Sequence, residues 1–95
     1  MRTMRLGVIG CGRISDVYLH NCTRLFDNLE VVACADLVPE LARRRAEEFQ
    51  IPRAGTVEAL LADPDVEIVL NLTSPHAHTE VNLRALEAGK HVYAE

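Results

Sequence analysis

The sequence lacks long apolar runs, an excess of basic residues and a recognisable leader. No apolar segment approaches the roughly 20 residues that a membrane-spanning helix needs, and the apolar stretch before Gly10 is too short for a secretory signal. Ten Lys plus Arg against fourteen Asp plus Glu give a net charge of −4. Proteins that bind nucleic acid or anionic membranes present a net basic face. We therefore expect a soluble, cytoplasmic protein with neither of those partners.

Cysteine is scarce as well. The three cysteines, Cys11, Cys22 and Cys34, form no Cys-x-x-Cys pair, whereas disulfide frameworks and zinc sites usually show even numbers or such pairs. We interpret all three as free thiols packed like small hydrophobic residues. His76 and His78 suggest a metal only weakly, because no third ligand with suitable spacing accompanies them. No metal site is predicted.

The chain is short, with 95 residues, which is enough for one core but not for a cofactor domain plus a substrate domain. Apolar runs predict strands at 6–9, 30–35, 66–72 and 91–94, and helical periodicity predicts helices over 14–25, 38–49, 56–61 and 76–88. This alternation predicts an α/β fold with a doubly wound parallel sheet. Such sheets bind ligands at the carboxyl ends of their strands.

A glycine-rich segment follows the first predicted strand and reads Gly10-Cys11-Gly12-Arg13-Ile14-Ser15. It matches the dinucleotide fingerprint G-x-G-x-x-G/A except that Ser takes the third small position. Gly10 allows a tight turn, and Gly12 lets a pyrophosphate approach the backbone. The amides of Arg13 and Ile14, at a helix N-terminus, are expected to face the phosphates. A glycine-rich turn without a ligand is the alternative interpretation.

Asp36 ends the second predicted strand. A carboxylate in that place accepts hydrogen bonds from an adenosine ribose and repels a 2′-phosphate, which favours NAD over NADP. The alternative is that Asp36 only caps the next turn. Arg43, Arg44 and Arg45 lie mid-helix beside acidic residues, so we interpret them as a solvent-exposed face rather than as a 2′-phosphate site.

Polar residues also follow the third predicted strand, as Thr73-Ser74-Pro75-His76-Ala77-His78. Two hydroxyls and two imidazoles at this edge predict a loop that lines the nicotinamide side of a cofactor. A plain surface loop, with Thr73 or Ser74 capping the next helix, is the alternative. Glu95 comes directly after the fourth predicted strand, at the same edge.

These motifs resemble the Gfo/Idh/MocA family of nicotinamide-dependent oxidoreductases. Residues 7–14 look like the opening of that family, and residues 71–78 with 86–95 are similar to its T-x-P-x-x-H … E-A-G-K-H-V-x-x-E-K-P signature. The resemblance implies that the pyrophosphate is contacted by Gly10, Gly12, Arg13 and Ile14, and the adenosine ribose by Asp36. It also implies that the nicotinamide half is flanked by Thr73, Pro75 and His78, and that Glu95 contacts the nicotinamide ribose or carboxamide.

The resemblance further implies a C-terminal α/β domain that binds the substrate, and a homo-oligomeric parent protein. The family's catalytic lysine follows the Glu of its signature, and this sequence ends at Glu95. We therefore expect residues 1–95 to be an N-terminal Rossmann domain, incomplete and inactive alone, from a dehydrogenase of sugars, polyols or similar compounds. No catalytic residue is predicted within it. A stand-alone nucleotide-binding or sensing module and an S-adenosylmethionine-dependent methyltransferase are the other hypotheses.

Overall fold

Five parallel strands form one sheet in the computed structural model, which describes residues 3–12 and 29–94. The order in the sheet is β3-β2-β1-β4-β5. The strands are β1 (Met4–Ile9), β2 (Leu29–Ala35), β3 (Arg53–Gly55), β4 (Ile68–Asn71) and β5 (His91–Ala94); the helices are α1 (Pro39–Phe49), α2 (Val57–Ala62) and α3 (Pro75–Glu87). The predicted parallel α/β fold is confirmed. The helix predicted over 14–25 lies outside the described residues.

Both faces of the sheet bury apolar side chains of its three central strands, which explains why β1, β2 and β4 are mostly apolar. Alternate side chains of a strand point to opposite faces. Val8 of β1 packs with Cys34 and Ala42 on the α1 side, whereas Ile9 packs with α2 and α3 on the other. Because β1 lies between β2 and β4, the loop that leaves β1 emerges at the middle of the carboxyl edge.

Local signals fix where the helices begin. Pro39 occupies the first turn of α1, where its missing N–H and fixed φ are harmless. The Thr56 side chain caps α2 by accepting a hydrogen bond from the Ala59 amide at 3.1 Å. Ser74 is the N-cap residue of α3, but its side chain makes no capping hydrogen bond. None of the described helices is long and apolar enough to cross a membrane.

The structure adds one strand that the sequence pattern did not predict. β3 has three residues and pairs only with β2, with Arg53 and Ala54 exposed. A strand this short, lying at an edge, has no apolar run to reveal it. The third predicted strand is also shorter than expected, because Val66 belongs to a turn in which its amide donates to the Asp63 carbonyl at 3.2 Å.

Candidate functional site

Three loops meet at the carboxyl edge of the sheet around a groove of about 340 Å³. The glycine loop (residues 10–12) follows β1, Asp36 and Leu37 follow β2, and the threonine loop (residues 72–74) follows β4. The remaining lining comes from the end of β1 and from α2 and α3: Ile9, Val57, Ala77, Glu80, Val81 and Arg84. A groove of this size is in the range of small-molecule sites.

Gly10 is required by the fold of the glycine loop. Its φ is +102°, a conformation that costs residues with a Cβ atom free energy. A Cβ here would also lie 2.8 Å from the backbone carbon and oxygen of Leu72. The Gly10 amide donates to the Ala35 carbonyl at 2.8 Å. Gly10 therefore lets the loops after β1, β2 and β4 approach one another.

Gly12 has a different role. Of the residues that the structure describes, none has an atom within 4 Å of the position a Gly12 Cβ would take, and its φ is not positive. Since Gly12 lines the groove, a side chain there would fill groove space rather than collide with any residue that the structure describes. This is the close approach that a pyrophosphate needs, and the cradle fits such a group.

Both carboxylate oxygens of Asp36 bind backbone amides. Oδ2 accepts from Cys11 at 2.7 Å and Oδ1 accepts from Val38 at 2.8 Å. The second bond is the turn contact foreseen in the alternative interpretation, while the first ties Asp36 to the glycine loop. A carboxylate offers about four lone-pair sites, so the same group retains acceptors for ligand hydroxyls.

The threonine loop is held by a buried amide, Asn71, whose relative exposure is 0%. Its Oδ1 accepts from the Thr73 amide at 3.1 Å and from the Thr73 hydroxyl at 2.6 Å. Its Nδ2 donates to the His78 carbonyl at 2.9 Å and to Asn82 Oδ1 at 2.7 Å. Because the Thr73 hydroxyl proton is committed to Asn71, Thr73 can present only acceptor lone pairs to the groove.

The structure brings Gly10, Gly12, Asp36 and Thr73 together around one groove. Pro75, at the first position of α3, and His78 are not among its described lining. The His78 Nε2 is buried and has no hydrogen-bond partner among the described residues. Arg13, Ile14 and Glu95 lie outside the described part of the chain, so their roles stay predictions.

Cys11 and Cys34 are buried free thiols, as predicted for cysteines that pack as small hydrophobic residues; Cys22 lies outside the described range. The Cys11 thiol donates to the Ala35 carbonyl at 3.4 Å. The neighbouring Cys34 thiol and burial raise the pKa of Cys11 above its usual range. Cys11 therefore stays a neutral thiol, which is not the form that attacks as a nucleophile. No cluster of metal-ligating side chains occurs in the stretches that the structure covers.

Sequence reasoning missed three residues of this site. Leu37 lines the groove with 82% of its surface exposed. Asn71 belongs to a mostly apolar strand, so the sequence pattern did not indicate a separate role for it. Arg45 donates through Nη2 to the Gly12 carbonyl at 3.3 Å, although it was interpreted as part of a solvent-exposed face. A signal for Arg45 existed, since it lies four residues from both Leu41 and Phe49, which pack against the core.

Comparison with known proteins places this geometry in context. A family model described as an oxidoreductase family with an NAD-binding Rossmann fold, Gfo/Idh/MocA, matches residues 4–95. An inositol 2-dehydrogenase/D-chiro-inositol 3-dehydrogenase of Lactiplantibacillus plantarum is 35% identical over 94 residues, which is 96% of this chain and 27% of the relative.

Two solved structures resemble the fold closely. The myo-inositol dehydrogenase of Lactobacillus casei, in complex with NAD(H) and myo-inositol, superimposes with a TM-score of 0.90 at 28% identity, over 97% of this chain and 28% of that one. A 3-ketoreductase of Actinomadura kijaniata, in complex with NADP and TDP-benzene, gives a TM-score of 0.90 at 35% identity, over 98% and 29%. The chain thus spans just over a quarter of the length of these relatives.

Proposed function

The chain belongs to the Gfo/Idh/MocA family of oxidoreductases, and from this membership we propose that residues 1–95 form an N-terminal dinucleotide-binding domain. The domain serves hydride transfer between a nicotinamide and a sugar, a polyol or a similar hydroxyl or carbonyl compound. A nicotinamide cofactor supplies the hydride chemistry when bound. The residues of this chain bind and orient it.

One observation carries the proposal: an open glycine cradle, an acidic group and a threonine acceptor share a single groove. Gly12 leaves room for a pyrophosphate, and Asp36 lies beside it, bonded to the Cys11 amide. Leu37 adds an exposed apolar surface one residue further on, suited to cover an adenine next to the ribose that Asp36 binds. Across the groove, Thr73 offers acceptor lone pairs to the other half of the ligand.

We propose NAD as the preferred cofactor. A 2′-phosphate next to the Asp36 carboxylate would meet like charge. NADP is the cofactor in the structure of the A. kijaniata ketoreductase, so family membership alone does not decide the choice. The Asp36 carboxylate is the feature of this chain that favours NAD.

We propose that the 95 residues alone catalyse no hydride transfer. The only lysine, Lys90, donates through Nζ to the carbonyls of Asp63 and Val66 at 2.6 and 2.8 Å. It therefore serves to join a turn to the end of α3 rather than to transfer protons. Acid–base catalysis and the substrate pocket are assigned to a second domain, in a cytoplasmic protein that assembles from identical subunits.

The test is calorimetric titration of the purified chain with NADH, NADPH and S-adenosylmethionine. We expect NADH to bind more tightly than NADPH and S-adenosylmethionine not to bind. Gly12→Val is the control, because it fills the cradle without a collision inside the described fold; it should abolish NADH binding and leave the circular dichroism spectrum unchanged. Binding of S-adenosylmethionine without NADH would instead support a methyltransferase.

A further inference from the structure

We propose that Arg45 is a positioning residue for the phosphate-binding loop, and that it raises affinity specifically for ligands that carry a pyrophosphate. This inference rests on the proposed function and deepens it. Arg45 reaches the glycine loop from α1, 33 residues further along the chain.

The glycine loop is held at three successive residues by the β2–α1 unit. The Gly10 amide donates to the Ala35 carbonyl at 2.8 Å, and the Cys11 amide donates to Asp36 Oδ2 at 2.7 Å. The Gly12 carbonyl accepts from Arg45 Nη2 at 3.3 Å. The first two bonds fix where the loop starts, and the third fixes the direction of the Gly12 carbonyl.

The Arg45 guanidinium is itself held in place. Its Nη1 forms an ion pair with Glu48 Oε1 at 2.7 Å, and its side chain is only 19% exposed. A planar guanidinium that is bonded on one side keeps its remaining donors in a fixed direction. Arg44, the preceding residue, is exposed and carries the same charge on the same helix.

The contact affects the ligand through the direction of the Gly12 carbonyl. Arg45 draws the Gly12 carbonyl toward α1, which packs on one face of the sheet, whereas Val57 and Val81 line the groove from the other face. The Gly12 carbonyl oxygen, which would repel a phosphate oxygen, is therefore held away from the groove that Gly12 lines.

The experiment compares Arg45→Met with Arg44→Met, which changes the net charge equally and leaves the glycine loop untouched. Affinities for NADH and for adenosine, which has no phosphate, are measured by NMR titration. We expect Arg45→Met to weaken NADH binding about ten-fold, the loss typical of one charge-assisted hydrogen bond. Arg44→Met should weaken it less than about two-fold, and adenosine affinity should change in neither variant.

Arg45→Lys keeps the charge but loses the planar guanidinium that contacts both Glu48 and Gly12. Its affinity for NADH should therefore lie between those of the wild type and of Arg45→Met. If wild type binds NADH and the two Met variants bind it equally, the inference fails and the proposed function stands. If adenosine affinity falls as far as NADH affinity, Arg45 acts through general stability and the inference also fails. If wild type binds no NADH, the proposed function itself fails.

Discussion

The glycine loop and the threonine loop face each other across the groove, yet different chemistry holds each in place. The glycine loop is fixed from outside by charged side chains, through the bonds of Asp36 to Cys11 and of Arg45 to Gly12. The threonine loop is held by a neutral amide, Asn71, which is itself fully buried and makes four hydrogen bonds to partly buried partners.

This difference predicts what each loop loses when its support is removed. Partly exposed polar groups regain hydrogen bonds to water when a partner is lost, whereas buried groups remain unpaired and pay the full desolvation cost. Damage to the supports of the glycine loop should therefore appear mainly in ligand binding. Damage to the support of the threonine loop should appear mainly in the stability of the fold.

Asn71→Leu should give the largest effect. The substitution leaves the Thr73 amide, the His78 carbonyl and Asn82 without their buried partner. At about 1–3 kcal/mol for each unsatisfied group, offset in part by the apolar replacement, we expect the free energy of unfolding to fall by about 4 kcal/mol. Urea denaturation measures it. Asn82→Ala removes one of these bonds and should cost only about 1 kcal/mol; equal losses would contradict the central role of Asn71.

The second prediction compares two glycines within one loop. Gly10→Ala should lower the free energy of unfolding by about 2–3 kcal/mol, because it places a Cβ 2.8 Å from the Leu72 backbone at a φ of +102°. Gly12→Ala should change stability by less than about 0.5 kcal/mol, since its Cβ meets no described atom. Thermal unfolding of both variants tests this. A Gly12→Ala variant as unstable as Gly10→Ala would show that the cradle is packed rather than open.

The two loops also show how much of the fold and of the site the sequence can predict. Apolar runs and glycines predicted four of the five strands of the described sheet, and they brought Gly10, Gly12, Asp36 and Thr73 to one edge. Such patterns record which positions are buried along a single element. They say little about which polar atoms pair across the fold.

Asn71, Arg45 and β3 went unpredicted for that reason. Asn71 sits at the end of an apolar strand, and only the tertiary structure supplies its partners on α3. Arg45 occupies the boundary of the buried face of α1, and its partner Gly12 is distant in sequence. β3 exists because β2 offers a free edge to pair with, not because its three residues favour a strand.

Asp36→Ala tests the cofactor preference of the glycine-loop side. Removing the carboxylate takes away acceptors for the ribose hydroxyls and the repulsion of a 2′-phosphate together. NADH affinity should fall about ten-fold, as expected for lost hydrogen bonds to a charged group, while NADPH affinity should fall less. Calorimetry with both cofactors measures the ratio. Equal losses would mean that Asp36 acts only by holding the Cys11 amide and the following turn.

The smallest effect is expected at the outer rim of the groove, where Arg84 forms an ion pair with Glu58 at 3.1 Å. This exposed ion pair supports neither loop, so it shows how much an ion pair by itself contributes to the stability of the fold. A hydrogen bond from its own backbone amide, and then the one from Arg84, hold the pKa of Glu58 below its ordinary value of 4.5. A carboxylate whose pKa is lowered by folding stabilises the fold at pH values above its pKa in the unfolded state. That contribution is lost as the pH falls through its lower pKa in the folded state.

A double-mutant cycle of Glu58→Gln and Arg84→Gln measures this term by thermal unfolding. The coupling between the two side chains should be small at pH 7, as is typical of exposed ion pairs, and it should fade as the pH falls through and below 4.5. A coupling as large as the cost of Asn71→Leu, or one that persists in acid, would show that exposed charge contributes to the fold itself. The contrast between the two loops would then depend on something other than burial.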